Sequence, residues 1–162
     1  PLTREDGRVT SFARELLEAD IRIHGEVVTV FNAHFRSQRN DDAERRYEEA
    51  RASRLLVDER YDANPERLIV FGGDLNDAPG STTLRLLEER SGLFRVASEL
   101  GDRDGTFIFQ GEPVFIDHLY VPGPQRDRYI PGTARIVRDA NGTLGGSDHA
   151  GLRAEFERRT DR

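Results

Sequence analysis

LIVFGGDLNDAPGS, residues 68–81, carries four apolar residues straight into two glycines, an aspartate and an asparagine. A short apolar run of this kind reads as a buried strand. Asp74 stands at its end. Burying a carboxylate there costs free energy unless hydrogen bonds or a cation offset the lost water. The placement asks for a chemical reason, and the flanking sequence supplies the candidates.

Residues 16–23 and 27–35 read as two strands joined by a tight turn at His24-Gly25-Glu26. The continuous run Val27-Val28-Thr29-Val30-Phe31 suggests a strand covered on both faces. Residues 41–62 read as a helix whose apolar stripe is Ala43, Tyr47, Ala50, Val57 and Tyr61, interrupted by Arg54, with Asn64-Pro65 as the stop. Ser81 is placed to cap a short helix carrying Leu84 and Leu87. Residues 106–110 and 114–121 predict a hairpin around Gly111-Glu112-Pro113. Residues 129–138 predict a further strand, Asn141-Gly142 a turn, and residues 150–156 a closing strand. The whole of residues 1–162 reads as one α/β domain without repeats or linkers.

Composition narrows the function. Charged residues make up 33% of the chain and the net charge is -6, so no basic surplus exists to hold nucleic acid non-specifically. The absence of cysteine removes disulfides, thiolate catalysis and cysteine metal sites. No apolar run approaches the ~20 residues of a membrane-spanning helix. Arg36, Arg39, Arg45 and Arg46 form a local basic group, readable as a solvated helix start or as a contact to phosphates. No phosphate-binding Gly-x-x-x-x-Gly-Lys loop and no serine nucleophile elbow is present.

Four strand ends carry chemically able residues: Asn32-Ala33-His34, Asp74-Leu75-Asn76, Ile116-Asp117-His118, and Ser147-Asp148-His149 before the last strand. Strand side chains alternate faces, so Asn32 shares a direction with His34 and Asp74 with Asn76, whereas Asp117 and His118 point oppositely. Asp-x-Asn in a glycine-rich segment also has an ordinary reading as turn chemistry. His24 reads as a turn residue, and Asp102 and Asp104 as solvated loop charges. Together the carboxylates and the amide suit a hard divalent cation bound through oxygen. A carboxylate beside a histidine can orient it and favour its charged form.

The order N-A-H, G-G-D-L-N, T-F-I-F-Q-G-E-P-V-F-I-D-H-L and G-S-D-H resembles the endonuclease/exonuclease/phosphatase superfamily, over about residues 12–156. This superfamily includes pancreatic-type deoxyribonuclease, exonuclease-III-like repair nucleases, neutral sphingomyelinases and inositol polyphosphate 5-phosphatases. The resemblance implies a deoxyribonuclease-I-like α/β fold, part of a four-layer sandwich with a mixed sheet and flanking helices. It implies a Mg²⁺- or Mn²⁺-dependent phosphoester hydrolase attacking phosphorus directly with water. Its substrate would be a nucleic acid, a phospholipid headgroup or an inositol phosphate.

Residue by residue, the resemblance implies that His34 contacts the scissile phosphate and that Asn32 supports its loop. Asp74 would orient or deprotonate the attacking water and contribute to the metal. Asn76 would hydrogen-bond the phosphate, Asp117 would orient His149, Asp148 would lie at the metal, and His149 would act at the phosphate. Phe115, where many relatives carry arginine, and Ala150-Gly151 depart from the pattern. The first-strand asparagine and the metal-binding glutamate of the family find no match. With the absence of any methionine, this leads to the expectation that the chain corresponds to the second half of the fold. A separate N-terminal half would then be a partner, and without it the chain could be an incomplete or non-catalytic module.

Overall fold

The computed structural model describes residues 2–3, 7–40, 42–90, 92–101, 105–140 and 144–158. The strands are β1 Leu2–Thr3, β2 Val9–Thr10, β3 Leu17–Ile23, β4 Glu26–His34, β5 Ile69–Asp74 and β6 Leu93–Arg95. They continue with β7 Phe107–Phe109, β8 Glu112–Val114, β9 Asp117–Pro122, β10 Arg135–Val137 and β11 Gly151–Arg153. Accompanying them are the α-helices α1 Ala43–Ala63 and α2 Thr82–Glu88. The central sheet is mixed, in the order β3-β4-β5-β9-β6. Among the described strands only β4 and β5 run parallel, and α1 is the crossover between them, as parallel neighbours require.

The β3–β4 turn is tight because His24 and Gly25 both take positive φ, 50° and 90°. That is the two-residue geometry matching the twist of a hairpin. Beyond it, β4 is covered on both faces, as its β-branched run predicts. Phe31, Ala33, Ile69, Phe71 and Tyr120 pack on one side with Ala50 and Val57 of α1 and Leu84 and Leu87 of α2. Val28 and Val121 pack on the other with Val96, Phe115 and Tyr129. Burial of each Val, Leu, Ile or Phe side chain among them is worth roughly 1.5–3 kcal/mol.

Helix α1 starts where Asp42 accepts a hydrogen bond from the Arg45 amide and ends at Asn64. Asp41 lies outside the described residues. The buried face of α1 differs from the apolar stripe expected, because it includes the charged residues Arg46, Glu48 and Glu49 while Ala43 is exposed. Arg54 does not merely interrupt the stripe. Its Nη1 donates to the Leu87 carbonyl at 3.0 Å, near the end of α2. At the other end of α2 the Ser81 hydroxyl accepts from the Leu84 amide at 3.2 Å.

Two expected strands are shorter than their apolar patterns. The hairpin turns at Gln110-Gly111, and only Glu112–Val114 pairs with β7. Phe115 then drops into the core, and the Thr106 hydroxyl takes both the Ile116 and Asp117 amides, so the chain leaves the hairpin and re-enters as β9. Likewise only Arg135–Val137 of residues 129–138 pairs with β11, because Gly132 turns the backbone with φ 78° and Tyr129 instead bridges Phe156. Asn141-Gly142 lies outside the described residues, as do Asp102 and Asp104.

Gly73 is the tightest point of the sheet. Its φ is +129°, and a Cβ there would lie 2.0 Å from the Ala33 carbonyl oxygen of the neighbouring strand. Gly73→Ala is expected to lower unfolding stability by about 3 kcal/mol, combining backbone strain with the clash. Gly80→Ala, at positive φ but facing open space, should cost only about 1 kcal/mol. Urea unfolding of the two variants checks the difference.

Candidate active site

Strand register assembles the site. His34 lies opposite Asp74 in the β4–β5 pair, and Asp74 lies opposite Asp117 in the β5–β9 pair. Three titratable residues thus stand in a row across one edge of the sheet. The segment before β11 adds the fourth, through a bridge between Phe107 and His149.

Asp74 is the centre of the group. Its Oδ2 lies 3.2 Å from His34 Nε2 and 4.0 Å from His149 Nε2. Its Oδ1 accepts the Asn76 amide at 2.9 Å, which is an Asx turn, so the ordinary turn reading of Asp-x-Asn is present. Asn76 tolerates the left-handed φ of 51° that this turn needs. Its side-chain Nδ2 donates to Asp74 Oδ2 and to the Phe35 carbonyl, each at 3.1 Å. Both amide hydrogens of Asn76 are therefore engaged in holding Asp74 and the segment after His34.

Asp117 Oδ2 pairs with His149 Nδ1 at 2.8 Å. That contact leaves Nε2 as the imidazole atom turned toward Asp74. Thr106 pins the pair from below. Its hydroxyl accepts the Asp117 amide, and its carbonyl accepts the Ala150 amide at 2.7 Å. The Phe107 ring lies 4.9 Å from the His149 ring, centroid to centroid. His118 points away from the dyad. It is buried, with Nε2 2.9 Å from the Asp77 carbonyl and its Nδ1 without a hydrogen-bond partner among the described residues. Phe115 packs against the same ring, so this departure from the family pattern serves the core.

Other candidates sit apart from this contact group. Asn32 is exposed one step back on β4, its Oδ1 beside Gly73. Asp148 is exposed, and its charge acts on the neighbouring His149. Among the described residues no group of three or more carboxylate, histidine or cysteine side chains is placed to hold a metal. The oxygens of Asp74 and Asp148 suit Mg²⁺ in kind, since that ion characteristically binds through one or two carboxylates and keeps several waters.

Burial raises the Asp74 pKa, opposed by the Asn76 amide and reinforced by Asp117. The two histidines are driven apart. Burial lowers His34, with Asp74 working against it and Arg14 and His149 with it. For His149 burial also opposes charge, but the Asp117 hydrogen bond and the charges of Asp117, Asp74 and Asp148 outweigh it, and the pKa is raised.

Arg14 was not singled out from the sequence. Its Nη1 lies 3.5 Å from the same Phe35 carbonyl that Asn76 engages, and its charge reaches His34. A lone arginine before a strand gives no pattern to find it by. Of the local basic group, Arg46 is buried and paired with Asp77, and Arg45 donates to the Ser11 carbonyl, so neither is a solvated helix start.

A model of the endonuclease/exonuclease/phosphatase family matches residues 5–149. The chain belongs to that family. Solved structures agree on the fold. A truncated Caenorhabditis elegans TDP2 aligns with TM-score 0.65 and 23% identity, over 96% of this chain and 67% of that one. D. rerio TDP2 complexed with single strand DNA product gives 0.65 and 15%, over 88% and 61%. A mannosyl-6-phosphatase from Bacteroides thetaiotaomicron gives 0.57 and 16%, over 83% and 52%. The chain thus spans about half to two thirds of these proteins. Comparison with curated protein sequences gives no match. Membership of this family makes the chain a phosphoester-hydrolase relative with a deoxyribonuclease-I-like fold.

Burial holds the His118 pKa down to about 4, from an ordinary 6.5. Above pH 6.5 the ring is neutral whether the chain is folded or not. Between these values the unfolded chain takes a proton that the folded chain refuses, so stability falls with pH, by about 3 kcal/mol in all. His118→Gln should remove most of that loss, read as the difference between urea unfolding curves at pH ~7 and pH ~4.5 for the variant and the parent.

Proposed function

We propose that the row His34–Asp74–Asp117, with His149, is the catalytic site of a divalent-metal-dependent phosphoester hydrolase. Water attacks phosphorus directly and no covalent intermediate forms. The observation that carries this reading is the Asp117–His149 contact of 2.8 Å with Nε2 facing Asp74 at 4.0 Å. A carboxylate that accepts from Nδ1 fixes the tautomer and favours the imidazolium. Imidazolium at this edge of the sheet gives a developing phosphorane-like oxyanion a fixed positive partner.

Asp74 orients the attacking water and takes its proton. Its raised pKa suits a group that must both accept and return a proton. His34, held toward its neutral form, hydrogen-bonds the scissile phosphate, and Arg14 adds positive charge beside it. Asn76 holds Asp74 in place; donation to the phosphate requires it to release the Phe35 carbonyl. Asn32 supports the β4 terminus. Asp74 and Asp148 would hold Mg²⁺ or Mn²⁺, which when bound polarises the phosphoryl group and stabilises the leaving oxygen.

The substrate is a phosphoester whose class the neighbours leave broad. One is named for a single strand DNA product and another as a mannosyl-6-phosphatase. What such substrates share is the phosphoryl group this edge accommodates. Phospholipid headgroups and inositol phosphates offer the same group. The comparisons lend no support to a separate N-terminal half as partner, and the reading rests on this chain's own residues. That no three or more carboxylate, histidine or cysteine side chains cluster to hold a metal among the described residues favours one alternative, a module that binds a phosphoester without turning it over.

The purified chain is expected to hydrolyse bis-p-nitrophenyl phosphate in Mg²⁺ or Mn²⁺. Excess chelator should abolish the reaction, and His149→Ala should reduce kcat about 100-fold or more. A parent chain without metal-dependent turnover would contradict the hydrolase reading and leave the binding module.

A further inference from the structure

Two charged residues on the buried face of α1 have no place in the chemistry above. Arg46 is 5% exposed and Glu49 0%. Burying a guanidinium and a carboxylate carries a large desolvation cost, and apolar residues would fill such positions at least as stably. One helical turn apart, they do not pair with each other. Each is directed at the segments that carry the site.

Glu49 Oε2 accepts the Arg36 amide at 2.6 Å, and its Oε1 accepts the Ala13 amide. Arg46 Nη1 donates to the Arg36 carbonyl at 3.4 Å, and its Nε to Asp77 Oδ2 at 3.2 Å. Residue 36 is therefore held at both of its backbone polar groups. Residue 35 is held as well, its amide on the Asp74 carbonyl at 2.9 Å and its carbonyl by Asn76. The backbone leaving His34 thus has every polar group engaged for two residues.

The same two side chains reach the other limbs. Asp77 follows Asn76 directly, and its carbonyl is taken by His118. Ala13 precedes Arg14, and Arg45 fixes the carbonyl of Ser11 on the far side. Three segments, ending in Arg14, His34 and Asn76, thus converge on one turn of α1.

We propose that Arg46 and Glu49 are positioning residues that set His34, Asn76 and Arg14 relative to Asp74. Their catalytic consequence rests on the hydrolase reading; their effect on the geometry of the segments does not. A misplacement of about 1 Å in a preorganised site costs on the order of 100-fold in rate, so the clamp acts on kcat rather than on substrate affinity.

The test uses Glu49→Gln, which keeps one acceptor oxygen, and Arg46→Lys, which keeps the charge but cannot span Asp77 and the Arg36 carbonyl together. Amide hydrogen exchange is read by NMR alongside kcat and KM on bis-p-nitrophenyl phosphate. In both variants the Phe35 and Arg36 amides should exchange about tenfold faster or more, with the Phe71 amide in the middle of β5 unchanged. kcat should fall about tenfold or more while KM stays within about twofold. Unchanged exchange at Phe35 and Arg36, acceleration that includes Phe71, or a loss carried by KM would overturn the proposal. If the parent chain does not hydrolyse the ester, the hydrolase reading fails and the exchange data alone decide the clamp.

Discussion

Registered pairing of β4, β5 and β9 is the constraint on which the rest of this structure depends. Backbone hydrogen bonds fix which residues stand opposite one another, and a slip of one residue would turn every side chain to the other face. At the observed register His34, Asp74 and Asp117 occupy one line. Gly73 lets β4 and β5 come close enough for that line to be compact. Packing on both faces of the sheet, against α1 and α2 on one side and around Val96, Phe115 and Tyr129 on the other, makes the line rigid.

Rigidity makes the electrostatics usable. Asp74 is partly removed from water beside a second carboxylate, and both effects favour its protonated form. The Asx turn through Asn76 works in the opposite direction, keeping the carboxylate oriented. Two histidines approach the same oxygen and end with opposite tendencies, His34 toward neutral and His149 toward charged. Titratable groups whose surroundings push them apart are the ordinary basis for dividing acid and base roles in one site. In this chain the main difference is the dedicated partner Asp117 on His149, with Arg14 acting against charge on His34.

Much of this was legible in the sequence. The turn at His24-Gly25, the capped helix at Ser81, the stop at Asn64-Pro65 and the apolar approach to Asp74 are local signals, and local geometry honours them. The four polar strand ends stood in an order that pointed to the family and to most of the residues now found together. What escaped depended on tertiary partners. Residues 114–121 look like one strand, but Thr106 captures two amides and splits them, and nothing in the run itself announces that. Arg46 read as part of a solvated helix start or as a phosphate contact, and Glu49 drew no reading, because charge on a helix usually faces water. Their partners, the backbone of Ala13 and Arg36 and the carboxylate of Asp77, lie some ten to forty residues away, which periodicity does not reveal. Arg14 is likewise defined by the Phe35 carbonyl, not by its neighbours in sequence.

The central claim is that residues from separate strand ends act as one site. A double-mutant cycle on Asp117 and His149 addresses it most directly, with kcat on a phosphodiester measured for Asp117→Asn, His149→Ala and the double variant. If Asp117 acts through His149, the double variant should be no slower than His149→Ala alone, within about twofold. If the two losses multiply, the residues work independently, and the account of a carboxylate-oriented histidine facing Asp74 is wrong.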